Sequence, residues 1–150
     1  MKTYANLAEF ESATGHELGP TDWVEVGQER INLFADATDD HQWIHVDPLR
    51  AKDGPFGGTI AHGLLTLSLL PRFMHELYSV EGVKMAINYG FNKARFITPV
   101  AVGAKIRASA RVEQVTRVGD AVQATLITTI DIDGATKPAA VVESIVRYVG

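Results

Sequence analysis

The chain has 150 residues, 46% of them hydrophobic and 21% charged, with no cysteine and a formal net charge of −4. Without thiols it has no disulfide framework, no cysteine nucleophile and no thiolate metal site, and the acidic balance speaks against nucleic-acid binding, which wants a basic face. One domain over residues 1–150 is expected, and with no secretory stretch and no run of 18 apolar residues, a cytoplasmic globular protein without membrane insertion.

Asn6 to Ala13 reads as a short helix with Leu7 and Phe10 on one side, and Trp23 to Val26 as a strand. Gln28 to Thr38 places Ile31, Phe34, Ala35 and Thr38 at helical spacing. After a polar stretch, Asp47-Pro48 marks a new helix start, since Asp is a favoured N-cap and Pro is pre-set for the first helical position. Gly54 to Gly58 is a loop by composition. In His62 to Leu77, the residues Leu64, Leu65, Leu67, Leu69 and Leu70 point in nearly every direction of a helical wheel. Such a helix is expected to be buried on nearly all sides, with a bend at Pro71.

The C-terminal half alternates. From Lys105 to Val112 the odd positions are polar and the even ones apolar, as in a half-buried strand. Gly119-Asp120 and Asp133-Gly134 are hairpin turns leading into strands over Ala121 to Asp131 and Ala139 to Val149. Antiparallel strands in succession plus one buried helix predict an α+β hotdog fold, a sheet wrapped around a long helix. A β-sandwich would leave the leucine helix without a home.

Asp40, His41, His45, Asp47 and His62 fall within 23 residues, and three readings compete. His41 and His45 have the i, i+4 spacing of a zinc-protease helix, but Gln42 stands where the glutamate base belongs and Asp47-Pro48 ends any helix there. The residues could instead belong to a solvated turn. The third reading is an acid–base pair, in which a carboxylate and an imidazole hold one water and move its proton near neutral pH. Such chemistry needs an oxyanion site, and Gly63 opens the apolar helix where backbone N–H groups are unpaired. Glycine also lets a ligand approach that backbone closely.

The stretch Phe34-Ala35-x-x-Thr38-x-Asp40-x-x-x-x-His45-Val46-Asp47-Pro48, followed by Ile60-Ala61-His62-Gly63, resembles the (R)-specific enoyl-CoA hydratase motif of the MaoC-like dehydratases. Asp40-His41-Gln42-Trp43-Ile44-His45, with Asn88-Tyr89-Gly90-Phe91-Asn92-Lys93, is most similar to the NodN-like subgroup. The resemblance implies a hotdog homodimer acting on acyl-CoA thioesters, with no cofactor beyond the CoA of the substrate. It implies that Asp40 and His45 activate water, that Gly63 supplies the oxyanion N–H and that Ser68 supports the site. Many hydratases carry Asn and Pro where this chain has Gln42 and Trp43. Gln42 is assigned an equivalent supporting amide contact, and Trp43 bears on the pocket wall.

Among the remaining residues, His62 is expected to shape the helix start or bond the preceding loop, and His41 to be exposed. Arg72 is placed near the end of the leucine helix as a terminal charge or dimer contact. Lys105, Arg107 and Arg111 share a strand face that reads as solvated. Asn92, Lys93 and Arg95 are the preferred group for the CoA phosphates, since an acidic chain that binds an anion must concentrate its cations somewhere. Two other functions stay open: thioester hydrolysis on the same fold, and acyl-CoA binding without turnover. No carboxylate lies between His62 and Phe73, where hotdog thioesterases usually carry one.

Overall fold

A computed structural model describes residues 1–150. In chain order it contains β1 (Lys2–Tyr4), α1 (Leu7–Glu11), β2 (Glu17–Leu18), β3 (Val24–Glu25), α2 (Gln28–Thr38), α3 (Trp43–Val46) and α4 (Pro48–Lys52). There follow α5 (Gly63–Ser68), α6 (Leu70–Leu77), β4 (Tyr78–Val80), β5 (Met85–Phe96), β6 (Lys105–Val118), β7 (Ala121–Ile132) and β8 (Ala140–Val149).

The main sheet has the order β2-β6-β7-β8-β5, with β3 pairing further along β6. Its long strands are antiparallel, joined at Gly119 (φ 60°) and Gly134 (φ 76°), a left-handed backbone that glycine adopts without a Cβ penalty. The alternation read from the sequence holds: Ile106, Ala108, Ala110 and Val112 of β6 face inward, as do Val122, Ala124, Leu126 and Ile130 of β7 and Val142 and Val146 of β8. Alanines at several of these positions keep the inner face shallow, so Leu65, Leu69, Leu70 and Phe73 pack closely over Ala108 and Ala140. This is the expected hotdog arrangement of sheet around helix.

Capping explains the N-terminal helices. Asn6 Oδ1 accepts the Glu9 N–H (2.9 Å) while the Glu9 carboxylate reaches back to the Ala5 N–H (2.7 Å). Asp47 accepts the Arg50 N–H (3.0 Å) with Pro48 opening α4, which is the structural duty its sequence position indicates. The helix over Gln28–Thr38 has the predicted bounds.

The leucine helix is the departure. It is two short helices, broken at Leu69, with Pro71 in the first turn of α6. A proline lacks the N–H that would continue the ladder, so the chain restarts where that donor is not needed. Burial is also one-sided: Leu65, Leu69 and Leu70 are covered, but Leu64 is 59% exposed. Strand β5, at the sheet edge, is exposed along its length except at half-buried Gly90. Arg72 therefore lies near the start of a helix, where it pairs with Glu76 (3.4 Å). Among the other cations, Arg107 stacks over Trp23 (4.4 Å) and Arg111 pairs with Glu113.

Candidate active site

Helix α2 ends on Asp39, a non-glycine residue in the left-handed region (φ 59°), a conformation that Asp tolerates better than most. The chain turns there and presents Asp40, whose side chain is 52% exposed. Gln42 then accepts the His45 N–H (2.9 Å), which starts the single turn of α3 and carries the His45 side chain inward to 7% exposure. The Gly54–Gly58 loop returns beside it, with the Ile60 N–H donating to the Ile44 carbonyl (3.0 Å).

His45 is held from both ends. Its Nδ1 lies 2.7 Å from the Ile60 carbonyl oxygen. A carbonyl only accepts, so Nδ1 carries the hydrogen, and the neutral ring keeps its lone pair on Nε2. Its own carbonyl accepts from Gln28 Nε2 (2.7 Å), and the Thr59 hydroxyl donates to Gln28 Oε1 (2.5 Å). This Gln28–Thr59 brace is absent from the sequence reading, because neither residue carries any motif.

One carboxylate oxygen of Asp40, one ring nitrogen of His45 and one of His62 lie within 4.8 Å of one another. The two imidazoles stack with centroids 3.8 Å apart and planes 24° from parallel. His41, the other half of the zinc-like spacing, lies before α3 and points away. It is exposed and bonded to Asp36 (2.8 Å), and that hydrogen bond raises its pKa above the usual histidine value against an opposing desolvation, with the charges of Asp36 and Asp39 adding to the rise.

His45 and Gly63 line one cavity of about 290 Å³, together with Thr66, Phe96, Ile97, Thr98 and Pro99. Gly63 is the first residue of α5, and its N–H donates to no group of the chain. A Cβ built on Gly63 would meet the Phe96 ring at 3.0 Å, so a side chain there must push that ring aside. Gly63→Ala keeps the N–H but displaces the Phe96 ring beside it, and is expected to lower turnover by roughly 10²-fold, the scale of a group moved by about 1 Å. Initial rates at constant circular dichroism measure it.

Other expected site residues fall elsewhere. Ser68 is not in the His45 cavity; it lines a neighbouring one of about 340 Å³ with Leu67, Leu70, Pro71, Met74 and Phe91. Gln42 acts through its backbone, and its side chain makes no capping bond. Lys93 and Arg95 stand opposite Glu143 and Val141, residues of the outer sheet face, while Phe96 on the inner face opposes Ala140. They lie on the far side of β5 from the cavity, and Asn92 is bonded to Glu143 (2.7 Å).

A carboxylate and an imidazole thus lie near a free helix N-terminus, in a sheet wrapped around its helices. Residues 9–133 match the MaoC like domain, and the chain belongs to that family. It is 57% identical over 150 residues to 3-hydroxyacyl-thioester dehydratase Z of Mycobacterium tuberculosis, with 99% of each chain covered. It is 48% identical over 110 residues to nodulation protein N of Rhizobium meliloti, covering 67% of this chain and 64% of that protein. The solved (R)-hydratase from A. caviae involved in PHA biosynthesis superposes with a TM-score of 0.73 at 26% identity, covering 89% of this chain and 94% of that one. The resemblance read from the motif is borne out, and the protein is an enzyme of the hydratase/dehydratase type.

Proposed function

We propose that the protein is an (R)-specific 2-enoyl-CoA hydratase/dehydratase. The observation that carries this reading is that an Asp40 carboxylate oxygen lies within 4.8 Å of a His45 ring nitrogen, while His45 lines one cavity with Gly63, whose N–H is unpaired. Water held between the Asp40 carboxylate and His45 Nε2 loses a proton as its oxygen bonds to C3 of the trans-2-enoyl thioester. The C2=C3 electron pair moves toward the thioester carbonyl, and the Gly63 N–H stabilises the enolate oxygen as charge builds there. A proton returned from the pair to C2 on the same face completes the addition, and the reverse path dehydrates the 3-hydroxyacyl-CoA. The scheme uses no cofactor beyond the CoA of the substrate.

The apolar cavity around Ser68 runs along the same helix pair and shares Pro71, Met74, Asn88 and Val146 with a second of about 300 Å³. We assign this trough to the acyl chain. At its far end burial pushes the Tyr148 phenol up to about 12 and Tyr78 well above the ordinary range, so the hydrogen-bonded pair ends the trough uncharged. Each methylene buried there contributes about 0.8 kcal/mol. Met74→Trp is therefore expected to lower the rate ratio of dodecenoyl-CoA to crotonyl-CoA about tenfold or more by excluding two or three methylenes. Competition kinetics with the two substrates reads that ratio.

The CoA moiety is assigned to the outer face of β5, where its phosphates reach Lys93 and Arg95. Met85, Ile87, Tyr89, Phe91, Phe96 and Ile97 are exposed on or beside that strand, and this supports a homodimer that covers them. No helix is long and apolar enough to cross a membrane.

Purified protein is expected to remove the enoyl absorbance of crotonyl-CoA and to yield (R)-3-hydroxybutyryl-CoA on chiral chromatography. Release of free thiol instead would establish a thioesterase. Binding of acyl-CoA without either change would establish a non-catalytic module.

A further inference from the structure

We propose that His62 is a positioning residue that ties the loop carrying Asp40 to the start of the oxyanion helix. The inference rests on the hydratase reading for its effect on rate, but the tie itself is geometric. His62 occupies the N-cap position of α5 and does not use its side chain to cap it. Its ring crosses to the end of α2, where Nε2 lies 3.0 Å from the Asp40 carbonyl oxygen. That oxygen only accepts, so Nε2 donates. The bond spans 22 residues of chain and joins the backbone of the proposed acid–base residue to the residue preceding Gly63.

The ring is also clamped. It is 3% exposed, with His45 stacked on it at 3.8 Å and Phe34 tilted against it at 4.9 Å. One side chain thus touches Asp40 and His45 and adjoins Gly63, the three groups whose mutual placement the reaction needs. Asp40 has little else to hold it. Its own side chain meets the Gln42 N–H at 3.4 Å, beyond a good hydrogen bond, and its Oδ2 lies 4.0 Å from the same His62 Nε2. Meanwhile His62 Nδ1 is buried without any partner. A buried polar atom left unpaired destabilises the fold, and a ring used only for packing could be apolar at no such cost. The Nε2 bond gives the reason for keeping an imidazole there.

Displacing a reacting group by about 1 Å costs on the order of 10²-fold in rate. His62→Ala is therefore expected to lower kcat for crotonyl-CoA about 10²-fold, with KM within about twofold, because substrate contacts are untouched. In His62→Gln an amide N–H replaces the ring donor, and kcat is expected to recover about tenfold over the alanine variant. His62→Phe restores the stack without the donor and should recover less than His62→Gln. Equal kcat in the alanine and glutamine variants, or an alanine variant that keeps its kcat, would overturn the proposal. Amide hydrogen exchange over residues 39–42 tests the tie without turnover: faster exchange in His62→Ala and His62→Phe than in His62→Gln supports it, and unchanged exchange in all three refutes it. A wild-type protein inactive on crotonyl-CoA would count against the hydratase reading and leave that exchange result standing on its own.

Discussion

Asp40→Asn is expected to slow hydration of crotonyl-CoA by about 10³-fold, within the usual range for removing a general acid or base. The amide keeps the shape and can still accept a hydrogen bond from water, but it neither takes a proton nor supplies negative charge beside His45. Stability should hardly change. The Asp40 side chain is half exposed and its only backbone contact is the long 3.4 Å approach of the Gln42 N–H, and such surface substitutions usually stay within about 0.5 kcal/mol. Urea unfolding beside initial rates separates the two effects. A variant with near wild-type turnover would remove Asp40 from the mechanism.

His45→Ala should damage both properties at once. Turnover is expected to fall by about 10³-fold or more, since the atom that takes the water proton is gone. Stability should fall by about 2–3 kcal/mol, because the Ile60 carbonyl loses its donor inside the protein and a ring-sized space opens against His62. Imidazole supplied in solution should recover part of the turnover by entering that space. Loss of activity with unchanged unfolding would contradict the buried Nδ1–Ile60 bond. The contrast in expected stability follows from where each residue sits: Asp40 half exposed on an open turn after α2, His45 buried on the inward face of α3.

Local signals carried much of the fold. The two-residue alternation in β6, β7 and β8, the Gly119 and Gly134 turns and the Asp47-Pro48 helix start are each set within a few residues, and each stands where the sequence places it. The helix over Gln28–Thr38 follows for the same reason. The leucine segment was legible in composition but not in burial. A helical wheel treats all directions alike, whereas Leu64 is 59% exposed while Leu65 is buried. Arg72 moved from a helix end to a helix start once Pro71 began a new one.

The same division runs through the site. Composition excluded thiol chemistry, and the motif around Asp40, His45 and Gly63 pointed to the MaoC-like family and brought these residues forward as candidates, because all three lie on short segments that can be read locally. The Gln28–Thr59 brace, the bond from His62 to the Asp40 carbonyl, the removal of Ser68 to a second cavity and the facing of Lys93 and Arg95 were decided only in three dimensions. Each joins residues far apart in the chain, or depends on which side of a sheet edge a residue faces. A hydrogen bond between distant segments leaves no periodicity behind it. Within a chain of net charge −4, Lys93 and Arg95 stand on the outer face of an edge strand, away from the cavity that His45 lines, a separation that only the sheet register decides.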